Sequence, residues 1–139
     1  MKYKKIDSKY IIRIDKNEEI VASIEKVCIE NKIQLGKITA IGAVNKVIIG
    51  LFKPENRKYL SSEFKGDFEI TSLIGNITTK DSKPYLHIHI NIADEKHRTF
   101  GGHLNLAVVS ATCEVIIEEF AGSVERNFDE DIGLNLLKL

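Results

Sequence analysis

The chain has 139 residues, a length that suits one compact domain, so we expect residues 1–139 to form a single domain. Twenty basic residues balance twenty acidic ones and give a formal net charge of zero. A domain that holds DNA by itself usually has a basic excess, because its affinity comes mostly from neutralising phosphates. No apolar run approaches the roughly 20 residues of a membrane span, and no apolar signal-peptide core follows the basic first segment. These features predict a cytoplasmic protein that makes no membrane contact.

The two cysteines, Cys28 and Cys113, both lie among apolar neighbours. They are far apart in the sequence and neither belongs to a Cys-x-x-Cys pair, which argues against a zinc ribbon or a redox motif. Because a free cysteine behaves as a small hydrophobic residue, we expect two reduced and buried structural thiols.

One long helix is predicted near the amino terminus. Residues 9–14 are predicted to form a first strand. After it, Asp15 suits a helix N-cap, and Glu18 completes a variant of the capping box. Apolar residues then recur at helical spacing over about four turns, and Gly36 ends the helix. The apolar positions are Ile20, Val21, Ile24, Val27, Cys28 and Ile33.

After this helix the sequence is rich in strand signals. Residues 38–44 and 46–52 are β-branched and separated by Asn45, which predicts a hairpin. Further strands are expected at 59–60, 68–74, 85–92, 98–100 and 111–120. One main helix and about seven strands joined by hairpins predict an α+β domain with a mostly antiparallel sheet.

The segment HIHINIADEKHRTFGGH, residues 87–103, holds all four histidines of the chain. His87 and His89 are two residues apart on a predicted strand, so both side chains leave the same face of the sheet. Imidazole is the commonest metal ligand near neutral pH, and two on one face supply half of a typical site. His103 follows the paired glycines Gly101 and Gly102 on the next strand, and is the candidate third ligand.

The length of the turn decides whether the three histidines meet. A two-residue turn at positions 95 and 96 would place His103 opposite Ile88, on the other face of the sheet. A three-residue turn, or a bulge at the Gly101-Gly102 pair, shifts the register by one residue and brings His103 beside His87 and His89.

The sequence also allows other interpretations of the histidines and of the nearby acidic residues. Alternating histidines also fill half-polar sheet faces or line subunit interfaces without a metal, and His97 in the turn is expected to be solvated. Glu114 faces the histidines, a partner subunit or the solvent, and the solvent is favoured. A cupin site, with Glu95 as a further ligand, is disfavoured because the spacing is one residue too long and the second cupin motif is missing. Neither a Ser-His-Asp arrangement nor a phosphate-binding GxGxxG loop is supported.

Several segments of the chain resemble, in order and in spacing, those of the PPC family (plants and prokaryotes conserved, DUF296), also called PD1-like DNA-binding proteins. The segments are GKITAIGAV (36–44), VIIGLF (47–52), FEITSLIGNI (68–77), PYLHIHINIAD (84–94), FGGHL (100–104), TCEVIIEEF (112–120) and RNFDEDIGLNLLKL (126–139). Together with the predicted helix before them, they are spread along nearly the whole chain.

The resemblance implies an α+β domain that assembles as a homotrimer, with sheet strands packing across subunit boundaries. It also implies that His87, His89 and His103 hold a metal, zinc or another divalent ion. Plant members carry AT-hook motifs that bind DNA; this chain has none, so its DNA binding is expected from the resemblance and weakly supported by its charge.

The leading hypothesis for function is a trimeric, non-catalytic binding or regulatory module of this DNA-binding family. The rival hypothesis is a small metal-dependent enzyme that uses the three histidines and an open coordination position.

Overall fold

The computed structural model describes residues 1–139 and contains eight strands and one α-helix, so the predicted α+β class is confirmed, with one strand more than expected. The elements are β1 (Lys2–Ile6), β2 (Lys9–Asp15), α1 (Ile20–Asn31), β3 (Gly36–Lys53), β4 (Lys58–Lys80), β5 (Lys83–Ala93), β6 (Thr99–Glu119), β7 (Arg126–Asp129) and β8 (Leu134–Leu137), with a short 3-10 turn at Pro54–Asn56.

The first six strands form one antiparallel sheet in the order β1-β2-β6-β3-β4-β5. The first part of β6 also pairs with β5, so β6, β3, β4 and β5 close into a ring at one end of the sheet. The strands β7 and β8 form a separate hairpin. Closure hides sheet edges that would otherwise be open to a second chain.

The core lies on one face of this sheet, because apolar residues alternate with polar ones along the strands. Ile88, Ile90 and Ile92 of β5 are buried, as are Tyr10, Ile12 and Ile14 of β2. The intervening residues of β5 therefore point away from the core, and His87 and His89 are among them.

The helix α1 differs in its limits from the prediction. It begins at Ile20, and its N-cap is Glu19, whose carboxylate accepts hydrogen bonds from the amides of Val21 (3.0 Å) and Ala22 (2.6 Å). Asp15 is therefore not the cap. The helix ends at Asn31, where the C-cap Lys32 adopts a left-handed conformation, so it has about three turns instead of four.

The predicted hairpin around Asn45 is also wrong. The chain runs through Asn45 without turning, and β3 is a single strand of 18 residues. Its register against β4 and β6 shifts between Val44 and Lys46. A β-bulge inserts one residue and bends the strand, which produces the same break in the alternation as a tight turn.

Cys28 and Cys113 are free and buried, as predicted. Burial raises the pKa of each thiol to about 12, so both stay protonated. No helix has the length and apolar character required to cross a membrane.

Candidate metal centre

The three histidines are brought together by the hairpin that joins β5 to β6. Its turn has three residues, 95–97, and His97 takes the left-handed conformation (φ 59°) typical of such turns. Asp94 fixes the turn, because its Oδ1 accepts hydrogen bonds from the amides of Lys96 (2.9 Å) and Arg98 (3.0 Å). The three-residue alternative considered from the sequence is therefore the one the chain adopts.

With this turn, His89 lies directly opposite His103, and His87 is two residues further along the same face of β5. The ring centroids are 5.1 Å apart for His87 and His89, 5.2 Å for His87 and His103, and 5.7 Å for His89 and His103. One ligand atom from each ring lies within 4.8 Å of the other two. These residues are called the three-histidine cluster below.

The paired glycines serve close packing and not the predicted bulge, since the β5–β6 register runs unbroken through Gly101 and Gly102. A Cβ added at Gly102 would lie 2.8 Å from the carbonyl oxygen of Gly50 on β3. The register shift falls further on, where Asn105 is the unpaired residue in the pairing of β6 with β3. Glycine at 102 thus lets β3 approach β6 closely beside His103.

The three-histidine cluster lies at the protein surface, and its side chains are buried to different extents. His87 and His103 are half-buried, and His89 is exposed. Partial burial lowers the pKa of His87, with further lowering from the neighbouring histidines and from Arg126. Burial, followed by the charge of His89, likewise lowers the pKa of His103. Both imidazoles are therefore held in the neutral form that binds metals.

No imidazole nitrogen of the cluster has a hydrogen-bond or ion-pair partner within the chain. Two polar side chains that neighbour the cluster bond elsewhere: the Tyr59 hydroxyl donates to Asn105 (2.5 Å), and the Asn91 amide donates to Ser72 (3.3 Å). The ring nitrogens are consequently free to act as ligands, which argues against a cluster that serves as an internal hydrogen-bonded network.

A cleft of about 440 Å³ lies over the cluster and is called the histidine cleft below. Its walls come from β3, β4, β5, β6 and the β8 strand. No Asp, Glu, Lys or Arg lines it. The lining residues are Gly50, Leu51, Phe52, Tyr59, Tyr85, His87, His89, Gly102, His103, Leu134, Asn135 and Leu136.

Arg126 lies behind the wall of this cleft and is only 7% exposed. Its guanidinium donates to Thr78 Oγ1 (2.8 Å), to the Asn135 carbonyl (2.9 Å) and to Asn76 Oδ1 (3.0 Å). It also lies 4.8 Å from the ring centroid of Tyr85. These contacts join the β7–β8 hairpin to the strand that pairs with His87.

Two other sequence candidates lie away from the cluster. His97 is exposed in the turn, and Glu114 lies eleven residues beyond His103 on β6, opposite Arg13 and Ile41. Tyr59, Tyr85 and Arg126 are not among the residues that the sequence predicts for the site. Tyr85 and Arg126 lie in the segments 84–94 and 126–139 that resemble the PPC family, whereas no motif contains Tyr59.

The donor set suits a zinc ion. Zinc–nitrogen bonds of about 2.0–2.1 Å in a tetrahedral site place ligand nitrogens roughly 3.4 Å apart. The ligand atoms of the cluster, all within 4.8 Å of one another, are already near that spacing. Three imidazoles without internal partners also match the three protein ligands that open zinc sites use.

Comparison with family models shows which family has this fold and sequence. Residues 1–121 match the model of the Plants and Prokaryotes Conserved (PCC) domain, the family abbreviated PPC above. The chain belongs to this family. The match covers every residue of the three-histidine cluster and stops before the β7–β8 hairpin that closes one wall of the cleft.

Two solved structures are similar to this PPC chain along nearly all of its length. A proposed DNA-binding protein from Bacteroides thetaiotaomicron is 33% identical, with a TM-score of 0.97, and the match covers 99% of this chain and 96% of that one. A metal-containing protein from Archaeoglobus fulgidus is 37% identical, with a TM-score of 0.90 and complete coverage of both chains.

A curated relative is much longer than this chain. The bifunctional protein GlmU from Synechococcus sp. (strain JA-3-3Ab) is 26% identical over 121 residues, which is 86% of this chain and 18% of that protein. The PPC chain therefore corresponds to less than a fifth of that relative.

Proposed function

We propose that this PPC protein is a metal-binding module that holds one divalent ion, zinc, on His87, His89 and His103. The observation that carries the proposal is the convergence of three imidazoles, with no internal hydrogen-bond partner, at the floor of a cleft. The metal-containing relative from Archaeoglobus fulgidus, which is similar over its whole length, supports it. Zinc bound in this way retains a coordination position for a ligand from solution.

We further propose that the module works as a homotrimer. Ile11, Ile116 and Ile74 are 43%, 44% and 59% exposed. Ile116 pairs with Ile11 on one side and with Thr39 on the other, and Thr39 pairs with Ile74. The three isoleucines therefore lie in one row on the face of the sheet opposite the core. The row ends at His89, which is paired with Ile74. An apolar row of this kind is typical of a face covered by another copy.

A role in binding DNA directly receives less support from the chain itself. The relative from Bacteroides thetaiotaomicron is a proposed DNA-binding protein. In this chain, however, twenty basic residues are balanced by twenty acidic ones. Lys5, in the basic first segment, forms an ion pair with Glu119 (3.2 Å). We therefore infer weak, salt-dependent contact with DNA and place the regulatory role in metal and ligand binding.

A small metal-dependent enzyme is the second candidate. The cleft over the cluster favours it, because a coordination position that opens on a cleft of about 440 Å³ admits a small molecule. A bound zinc ion would supply Lewis acidity at that position. A binding module releases a ligand from the cleft unchanged, whereas an enzyme converts it. Recovery of the ligand therefore distinguishes the two candidates.

The metal proposal is tested by zinc titration of the metal-free protein and of two matched variants. His89→Asn removes one exposed ligand of the cluster, and His97→Asn makes the same change at the exposed turn outside it. We expect one zinc per chain for the wild type and for His97→Asn, and an affinity lower by about tenfold or more for His89→Asn. Equal affinities for the two variants would remove the cluster as the binding site.

A further inference from the structure

The histidine cleft carries no negative charge of its own, because its lining contains no carboxylate. Three neutral imidazoles add no negative charge, so a divalent ion on the cluster keeps both of its positive charges. Metal sites that lack an anionic protein ligand complete their coordination with water or with an anion from solution. The metal-loaded cleft therefore has a net positive charge that no carboxylate of its lining neutralises.

Arg126 adds a further positive charge behind the same wall. It is 93% buried and bonded to Thr78, Asn76 and the Asn135 carbonyl, all of them neutral groups. None of the ion pairs in the protein involves it. A buried guanidinium is usually paired with a carboxylate, since an uncompensated buried charge is costly.

The walls of the cleft restrict what kind of anion fits. Leu51, Phe52, Leu134 and Leu136 present apolar surface around the cluster, and Tyr59 and Tyr85 add aromatic rings. A volume of about 440 Å³ lies at the small-molecule end of ligand pockets. An organic anion with a short apolar body matches these walls better than a bare inorganic ion does.

We propose that the metal-loaded cleft binds a small organic carboxylate, with its carboxylate on the metal ion and its apolar body against the leucine and phenylalanine walls. The inference rests on the metal site proposed above and names the ligand class for that site. Arg126 is a positioning residue, which holds the β7–β8 wall in place and adds its charge to the site without a protein carboxylate to neutralise it.

The test uses the cobalt(II)-loaded protein, whose visible absorption reports both metal binding and a change of the fourth ligand. Isobutyrate is the carboxylate probe, isobutyramide its neutral counterpart of the same shape, and inorganic phosphate an anion without an apolar body. We expect isobutyrate to shift the cobalt bands at the lowest concentration, phosphate to require more, and isobutyramide to leave them unchanged.

Two variants each lower the positive charge by one without removing a histidine. Asn135→Asp places a carboxylate in the wall of the cleft, and Arg126→Gln deletes the buried charge. Each is expected to weaken isobutyrate binding about tenfold, the effect of one charge in a partly buried site, while cobalt is retained. The matched control is Asn127→Asp, the same change at an exposed position of the same hairpin outside the cleft, and it should bind isobutyrate like the wild type.

The outcomes separate the two proposals. A protein that binds no cobalt at the cluster would overturn the metal site and the carboxylate inference together. Cobalt bound with unchanged bands on addition of isobutyrate would overturn the carboxylate inference alone. Equal affinities for isobutyrate and isobutyramide would also overturn it. The same holds if Asn135→Asp and Arg126→Gln both bind isobutyrate as tightly as the wild type does.

Discussion

At the scale of single residues, the three-histidine cluster depends on one turn. Asp94 accepts hydrogen bonds from two amides of the turn and bonds the Arg98 guanidinium (2.8 Å). This fixes a three-residue connection, and with it the register that places His103 opposite His89. One residue fewer in the turn would move His103 to the core face, because side chains alternate between faces along a strand.

The lowered pKa values of His87 and His103 predict how the metal-free protein responds to acid. Burial, the main cause for both, disfavours the charged form in the folded state, whereas the unfolded chain titrates near 6.5. As the pH falls through about 6.5, the unfolded state takes up protons first, so the free energy of unfolding decreases until the lower folded pKa values are passed.

Urea unfolding at pH 7.5 and pH 5.5, with a chelator present, measures this effect. We expect the wild type to lose stability between the two pH values, and the double variant His87→Gln, His103→Gln to lose less. An equal loss in both proteins would mean that other groups are responsible for the acid sensitivity.

At the scale of secondary-structure elements, alternation predicts which face a residue occupies but not where a strand ends. Residues 85–92 alternate strictly, and the sequence therefore predicts the shared face of His87 and His89 correctly. At Asn45 a bulge and a turn break the alternation in the same way, so the sequence predicts a hairpin where the chain forms one strand of 18 residues.

Long-range contacts explain the parts of the site that the sequence does not predict. The position of His103 follows from the β5–β6 connection, for which the sequence leaves a two-residue turn, a three-residue turn and a glycine bulge as alternatives. The contribution of Tyr59 and of the β8 strand to the cleft follows from packing between segments far apart in the chain. The sequence does not predict Glu19 as the helix cap, because its carboxylate also accepts a hydrogen bond from the Ala107 amide of β6 (3.0 Å), a tertiary contact that fixes where α1 begins.

The capping role of Glu19 gives a prediction for the helix. Glu19→Ala removes the acceptor for the Val21, Ala22 and Ala107 amides, and we expect it to lower the free energy of unfolding by about 1–2 kcal/mol. Glu25→Ala, at an exposed position of α1, is the control and should change stability by less than about 0.5 kcal/mol. Equal urea midpoints for the two variants would show that Glu19 does not cap the helix.

At the scale of the whole molecule, the sheet has two unequal faces. One is covered by α1 and the core, and the other carries the row formed by Ile11, Ile116 and Ile74, which ends at His89. An assembly that covers this row would bring another copy beside the cluster. Oligomerisation and access to the histidine cleft are then linked through one surface.

The proposed trimer is tested by light scattering of two surface variants. Ile116→Lys places a charge in the middle of the exposed row, and Ile29→Lys makes the same change on the exposed face of α1. We expect the wild type and Ile29→Lys to have a mass of three chains of 15.7 kDa, and Ile116→Lys to dissociate, because burying an unpaired charge at an interface is unfavourable. A monomeric wild type at micromolar concentration would contradict the trimer.

The central claim is that His87, His89 and His103 bind zinc together, and the X-ray absorption spectrum of the zinc-loaded protein tests it most directly. We expect three imidazole nitrogens at about 2.0–2.1 Å and one further light ligand, with no sulfur shell from either cysteine. A spectrum without multiple scattering from imidazole, or one that the His89→Asn variant leaves unchanged, would contradict it.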